Sequence, residues 1–294
     1  MFEASPGEWQ WGELQVNLMA MVRIKSRPGS GHDVYKFARS IAAYDPSMFT
    51  YKGGCDDSLC DRVKAGMIMD VDLADDTMLA NDPALLAKLC KAIMSGTCRL
   101  ACLTLRRNQL GPEDAEALAE ALKVNSSITS LSLDHNKLGR QGGKAIAEAL
   151  KVNTSITTIN LCNLSGTMSL NGEDLPHGAD CCVGEDAAIE VAEALKINTS
   201  ITDIQLDHNL LGAKGSKVLA EALTVNKTIT SLNVNWNGMG EGGTAVAKAL
   251  KVNKFLQELN IIGNGFGPAT EKAIVRAWRS YPRRQNVNSD YLSS

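Results

Sequence analysis

Two short stretches, LSLDHN at 131–136 and IQLDHN at 204–209, set an aspartate beside a histidine, the residue types of an acid–base pair. If they occupy one position on strands two apart, a strand spacing of about 4.8 Å leaves Asp134 and Asp207 on the order of 10 Å apart. That is too far to share a proton or a metal. Asp134–His135 and Asp207–His208 are therefore read as solvated rim residues. Cys55 and Cys60, with Asp56, Asp57 and Asp61 nearby, offer metal-binding residue types, but their spacing is not that of a zinc knuckle and no histidine follows. Cys181 and Cys182, with Asp174, His177 and Asp180, are richer donor stock, and an ordinary acidic loop is the simpler reading. No phosphate loop, dinucleotide fingerprint, nucleophile elbow or zincin motif occurs. Neither a reaction nor a cofactor is indicated, and no catalytic or metal residue is nominated.

The elements that carry these residues repeat. LACLTLRRNQL (100–110), ITSLSLDHNKL (128–138), ITDIQLDHNLL (201–211), ITSLNVNWNGM (229–239) and LQELNIIGNGF (256–266) align on their asparagines, with a period of 28 residues shortened once to 27. Each is linked to a helical piece of the type EALKVN. Side chains alternate along a strand, so Leu131 and Leu133 point inward while Ser130, Ser132 and Asp134 point out. The asparagine both donates and accepts, which suits backbone groups that no strand ladder serves. Alanines, Ile146 and Leu150 give each helix a face that packs closely on the sheet. One unit cannot bury that face alone, so stability has to come from stacking.

This L-x-x-L-x-L-x-x-N-x-L pattern followed by a helix is the leucine-rich-repeat signature. The period near 28 and the EALKVN-x-x-I junction resemble the ribonuclease-inhibitor-like class over about residues 66–280. That class includes ribonuclease inhibitor, the Ran GTPase-activating protein, the tropomodulin C-terminal domain and the NOD-like receptors. The resemblance implies an α/β fold, a horseshoe solenoid with a parallel concave sheet and convex α-helices. Its functions are diverse. It implies a protein-interaction scaffold first. Alternatives are a GTPase-activating regulator, for which Arg106 and Arg107 would be the residues to nominate, and an actin-capping module.

The repeat divides the chain. Residues 1–65 form a non-repeat arm with one short amphipathic helix within 32–44, and with Trp9 and Trp11 available to dock on the solenoid or on another protein. The solenoid covers 66–284, with a degenerate cap at 66–98, in which Asp82 and Pro83 start a helix. Residues 285–294 are expected to be a disordered tail. In the third unit the next helix arrives 17 residues late. An insertion at 163–180 accounts for this and places Cys181 in the asparagine slot, where the family pattern accepts cysteine.

Bulk properties bound the partners. Net charge is −3 over 294 residues, which gives no general attraction to nucleic acid or to an anionic membrane. No apolar run reaches the roughly 20 residues of a membrane helix. Eight cysteines, several at buried repeat positions, and a start lacking the features of a secretory signal read as a reduced intracellular, cytoplasmic protein. The four N-x-S/T matches at Asn125, Asn153, Asn198 and Asn226 share one repeat slot and are read as structural residues at helix ends. The outward row Thr104, Ser132, Asn160, Gln205, Asn233 and Asn260, beside Arg106, Asp134, Cys162, Asp207, Asn235 and Ile262, is polar with few charges. It suits a hydrogen-bonded protein partner, in a larger assembly held by arm and solenoid. Trp236 replaces the histidine of LDHN. Its ring is expected either to lie over the adjacent turn at Ile262 or Gly263, or to stand exposed as a binding anchor. The binding residues nominated are Trp236, Asn233, Asn235, Asp207, His208, Gln205, Asp134, His135, Arg106, Trp9 and Trp11.

Overall fold

The computed structural model describes residues 50–52, 54–76, 78–79, 82–163, 184–282 and 286–288. Within them the chain alternates short strands and helices: β1 (Thr50–Lys52), α1 (Asp57–Lys64), β2 (Asp70–Asp72), α2 (Pro83–Ile93), β3 (Cys102–Thr104) and α3 (Pro112–Val124). Then follow β4 (Ser130–Ser132), α4 (Gly139–Val152), β5 (Thr158–Asn160), α5 (Gly184–Leu195), β6 (Asp203–Gln205) and α6 (Gly212–Val225). The series closes with β7 (Ser231–Asn233), α7 (Gly243–Val252), β8 (Glu258–Asn260), α8 (Pro268–Arg279) and β9 (Asn286–Asn288). The strands form one nine-stranded sheet in chain order, and β2 to β9 pair in parallel. Successive units sit in strict register: Leu103, Leu131, Ile159, Ile204, Leu232 and Leu259 form one inward column. The fold is an α/β solenoid with helices flanking a parallel sheet.

Each helix packs on the sheet through the apolar face read from the sequence. In α3 that face is Ala115, Leu118, Ala119, Ala121 and Leu122, and in α4 it includes Ile146, Ala147, Ala149 and Leu150. Close approach also needs glycine. A Cβ on Gly143 would lie 2.5 Å from that of Ala187 on α5, and one on Gly142 would lie 2.7 Å from that of Ala115 on α3. Small residues thus set how closely α4 fits between its neighbours.

Two ladders of buried asparagines join the units. At the strand exits, the Asn136 side-chain oxygen accepts from the Asn108 and Leu110 N–H groups at 2.9 and 3.2 Å. Its amide donates to the Leu105 and Leu133 carbonyls at 2.9 and 2.8 Å. At the helix ends, Asn153 donates to the Leu122 carbonyl of the preceding unit at 2.8 Å and accepts from Ser155 and Ile156 N–H groups. Asn198 and Asn226 repeat that pattern on Leu150 and Leu195. The N-x-S/T asparagines are therefore buried structural groups.

The boundaries differ from the sequence reading at three places. Tyr51 and Lys52 of β1 lie in the sheet, so the part of residues 1–65 from Tyr51 onward belongs to the repeat body and 66–98 is not its end. Asp56 caps α1 by accepting from the Leu59 N–H, and Leu59, Cys60 and Val63 bury its inner face. In the third unit Asn163 is buried and has the positive φ of His135 and His208, so the repeat conformation holds through 163. At the far end, Asn286–Asn288 pairs with β8, whereas the whole of 285–294 was expected to be disordered. An end strand is held by one neighbour and needs few apolar residues, so it leaves a weak pattern. Trp9, Trp11, the helix within 32–44, most of the insertion, and Cys181 and Cys182 lie outside the described residues.

Cys90 lies on the buried face of α2, and burial pushes its thiol from the ordinary 9.0 up to about 12. Above pH 9 the unfolded chain ionises this thiol while the folded chain does not. Its contribution to stability is thus complete below pH 9 and is lost as pH rises toward 12. Urea midpoints followed across that window should fall less steeply for Cys90→Ala than for the parent chain, by up to about 1.4 kcal/mol per pH unit. Equal slopes would remove Cys90 from the alkaline transition.

Candidate functional site

The candidate surface is the concave face of the sheet and the rim where the chain leaves each strand. Asp75, Arg107, His135, Asn163, His208, Trp236 and Gly263 occupy one rim position in successive units, and all have positive φ between 48° and 70°. This left-handed turn swings their side chains into a column beside the concave face. Only glycine adopts it without strain, although aspartate, asparagine and histidine tolerate it better than other residues. Arg107 and Trp236 are held there by bonds to the next unit: their N–H groups donate to the Asp134 and Ile262 carbonyls at 3.0 and 2.8 Å.

Contacts run along the column. An Arg107 guanidinium nitrogen lies 4.0 Å from the Asp75 carboxylate. His135 Nδ1 and Asn163 Nδ2 are 3.2 Å apart. The His208 and Trp236 rings are parallel within 7°, with centroids 6.0 Å apart. On its other side Trp236 lies over Gly263, where a Cβ would fall 2.4 Å from the indole. Trp236 remains 54% exposed. The ring thus covers the adjacent turn at Gly263 and also faces solvent.

The concave face carries its own hydrogen bonds. Cys162 Sγ donates to Asp207 Oδ2 at 2.9 Å, and Asn233 Nδ2 donates to Asp207 Oδ1, also at 2.9 Å. Burial first, and then this bond to Asp207, push the Cys162 thiol well above the ordinary range, so it stays protonated and donates. Asn233 accepts from the Asn235 N–H, and Asn235 accepts from the Ile262 N–H. Gln205 Nε2 donates to Asp203 Oδ1 at 2.8 Å. The Ser132 hydroxyl donates to Asp134, and Arg106 Nε lies 4.0 Å from the same carboxylate.

The structure therefore brings Asp207, Asn233, Asn235, His208 and Trp236 together across β6 and β7, with Gln205 beside them. Asp134, His135 and Arg106 stand apart from them near β3 and β4. Asp134 faces Ser132 and Arg106 while His135 faces Asn163, so this neighbouring pair is not arranged as a catalytic dyad. Among the described residues no group of three or more His, Cys, Asp or Glu could hold a metal ion. No described helix is long and apolar enough to cross a membrane. The sequence reading named Ile262 and Gly263 as alternative rests for the Trp236 ring, and the ring lies over Gly263.

Short parallel strands, each followed by a helix and joined through buried asparagines, define a leucine-rich-repeat solenoid. A family profile described as Leucine Rich repeat matches residues 124–147 and 225–247. No curated protein matches. Among solved structures, the leucine-rich-repeat-containing protein LegL7 of Legionella pneumophila is similar at 21% identity over 79% of this chain and 69% of that one, TM-score 0.46. Actin-binding site 2 of leiomodin-1 is similar at 22% identity over 54% of this chain and 84% of that one, TM-score 0.40. The tropomodulin C-terminal domain of Caenorhabditis elegans is similar at 14% identity over 57% of this chain and 92% of that one, TM-score 0.43.

Proposed function

We propose that the chain is a non-catalytic protein-interaction scaffold built from ribonuclease-inhibitor-like repeats. In this reading it is an intracellular accessory subunit that binds a partner protein through the concave face and rim of β6–β8. The observation that carries this reading is Trp236, an aromatic ring fixed between Gly263 and His208 yet more than half exposed. Exposed, immobilised aromatics carry much of the binding energy at protein interfaces, because little side-chain entropy remains to be lost. Asn233, Asn235 and Asp207 beside it are already tied to one another, so the polar rim is built before a partner arrives.

A photo-crosslinking amino acid at Asn233, compared with one at Glu116 on the helix side, tests the reading in the protein's native extract. Adducts to a discrete partner from position 233 are expected, with few from 116. Adducts from the helix side alone would move the interface away from the sheet.

A further inference from the structure

The composition of the whole chain is close to charge balance, with 33 acidic and 30 basic residues. The sheet's outward face is not. Its outward positions are the first and third residue of each strand and the residue two beyond, from β2 to β8. They hold the carboxylates Asp70, Asp72, Asp134, Asp203, Asp207 and Glu258, and Arg106 is the single basic residue among them.

Neutral groups hold several of these carboxylates in place. Asp207 accepts from a thiol and an amide, Asp203 from an amide, and Asp72 from its own Ala74 N–H at 3.2 Å. Neutral donors fix orientation without cancelling charge, so the face keeps a negative potential focused in a concave surface. Such a face repels nucleic acid. Three of the acids, Asp203, Asp207 and Glu258, fall on or just beyond β6 and β8, flanking the strand whose exit carries Trp236. Both indole faces have protein neighbours, the His208 ring and the Gly263 turn, so a partner meets the ring's exposed edge, along which the alkyl stem of an arginine or lysine can pack while its charged head reaches a carboxylate.

Resting on the scaffold reading above, we propose that the occupant of the concave face is an extended basic segment of a partner protein. Basic residues of that segment meet Asp203, Asp207 and Glu258, and the alkyl stem of one of them packs along the exposed edge of Trp236. The aromatic ring sets where the segment is anchored, and the carboxylates set its sign.

Fluorescence anisotropy of a labelled Arg-Gly repeat peptide on the full chain tests this, with Lys-Gly and Glu-Gly peptides alongside. The Arg-Gly and Lys-Gly peptides should bind and the Glu-Gly peptide should not. Affinity should fall as salt is raised. Trp236→Ala, and separately the pair Asp203→Asn with Glu258→Gln, should each weaken binding by about tenfold or more. The pair Glu113→Gln with Glu241→Gln, exposed and on helical segments, should leave it unchanged. Circular dichroism should show every variant folded. Absent binding, or equal loss in the helix-side pair, overturns the proposal. Crosslinks from position 233 without Arg-Gly binding would sink the charge assignment while sparing the scaffold reading. Loss of the concave crosslinks would remove both.

Discussion

Asn136→Ala is expected to lower the free energy of unfolding by about 3–5 kcal/mol, as much as removing a large core side chain. The reason is the number of buried groups that it serves. Asn136 is fully buried and satisfies two N–H groups and two carbonyls, drawn from its own turn and from the preceding unit. Alanine leaves all four without partners, at about 1–3 kcal/mol for each group that cannot relax to water. Asn136→Asp should be no better, because a carboxylate oxygen would then face the Leu105 and Leu133 carbonyls. Urea denaturation is the measurement, with Leu133→Ala, expected to cost about 2–5 kcal/mol, as the apolar comparison. A solenoid unit is stabilised by its neighbours, so a cut in the ladder should also broaden the transition as the two sides uncouple. A loss under about 1 kcal/mol would mean that water replaces the side chain and that the ladder is not a main source of stability.

The solenoid was legible because one pattern is repeated in every unit and each repetition confirms the last. The columns of Leu131 and Leu133, the ladder asparagines and the helix faces all follow from two periods, 2.0 along the strand and 3.6 along the helix. The ends were not legible for the same reason. TYK and NVN carry no repeat pattern of their own and join the sheet by pairing with a neighbour. The rim column was hidden by its chemistry. His135, His208 and Gly263 are types that suggest a left-handed residue, but Arg107 and Trp236 are not, and they share the turn because the same bond to the next unit holds each of them. The sign of the concave face was missed through geometry. Two of its three outward columns are polar and nearly neutral in appearance, whereas Asp203 and Glu258 belong to the third, at the first residue of each strand. The grouping of Asp207, Asn233, Asn235 and Trp236 could be guessed from repeat position. Their mutual hydrogen bonds, and the choice of Gly263 over Ile262 under the indole, needed the three-dimensional register.

Trp236→Ala is expected to weaken partner binding by about 2 kcal/mol or more while the chain stays folded. That result alone would not show how the ring is held, and Gly263 supplies the means. Gly263 has φ of +70°, where a side chain costs about 1–2 kcal/mol, and its added Cβ would fall 2.4 Å from the indole of Trp236. Gly263→Ala should therefore destabilise the chain by roughly 2–3 kcal/mol, combining backbone strain with displacement of the ring. In a Trp236→Ala background the clash is absent and only the strain remains, so the same substitution should cost about 1 kcal/mol less. Binding should follow the ring's position and not merely its presence: Gly263→Ala, which keeps the tryptophan, should lose most of the affinity that Trp236→Ala loses. The four proteins of this cycle can be compared by urea denaturation for stability and by anisotropy of the Arg-Gly peptide for binding. If Gly263→Ala destabilises equally with and without Trp236, the indole does not rest on that turn. If it leaves binding intact, the anchor does not depend on the seat beneath it, and the carboxylates of β6 and β8 would have to account for recognition alone.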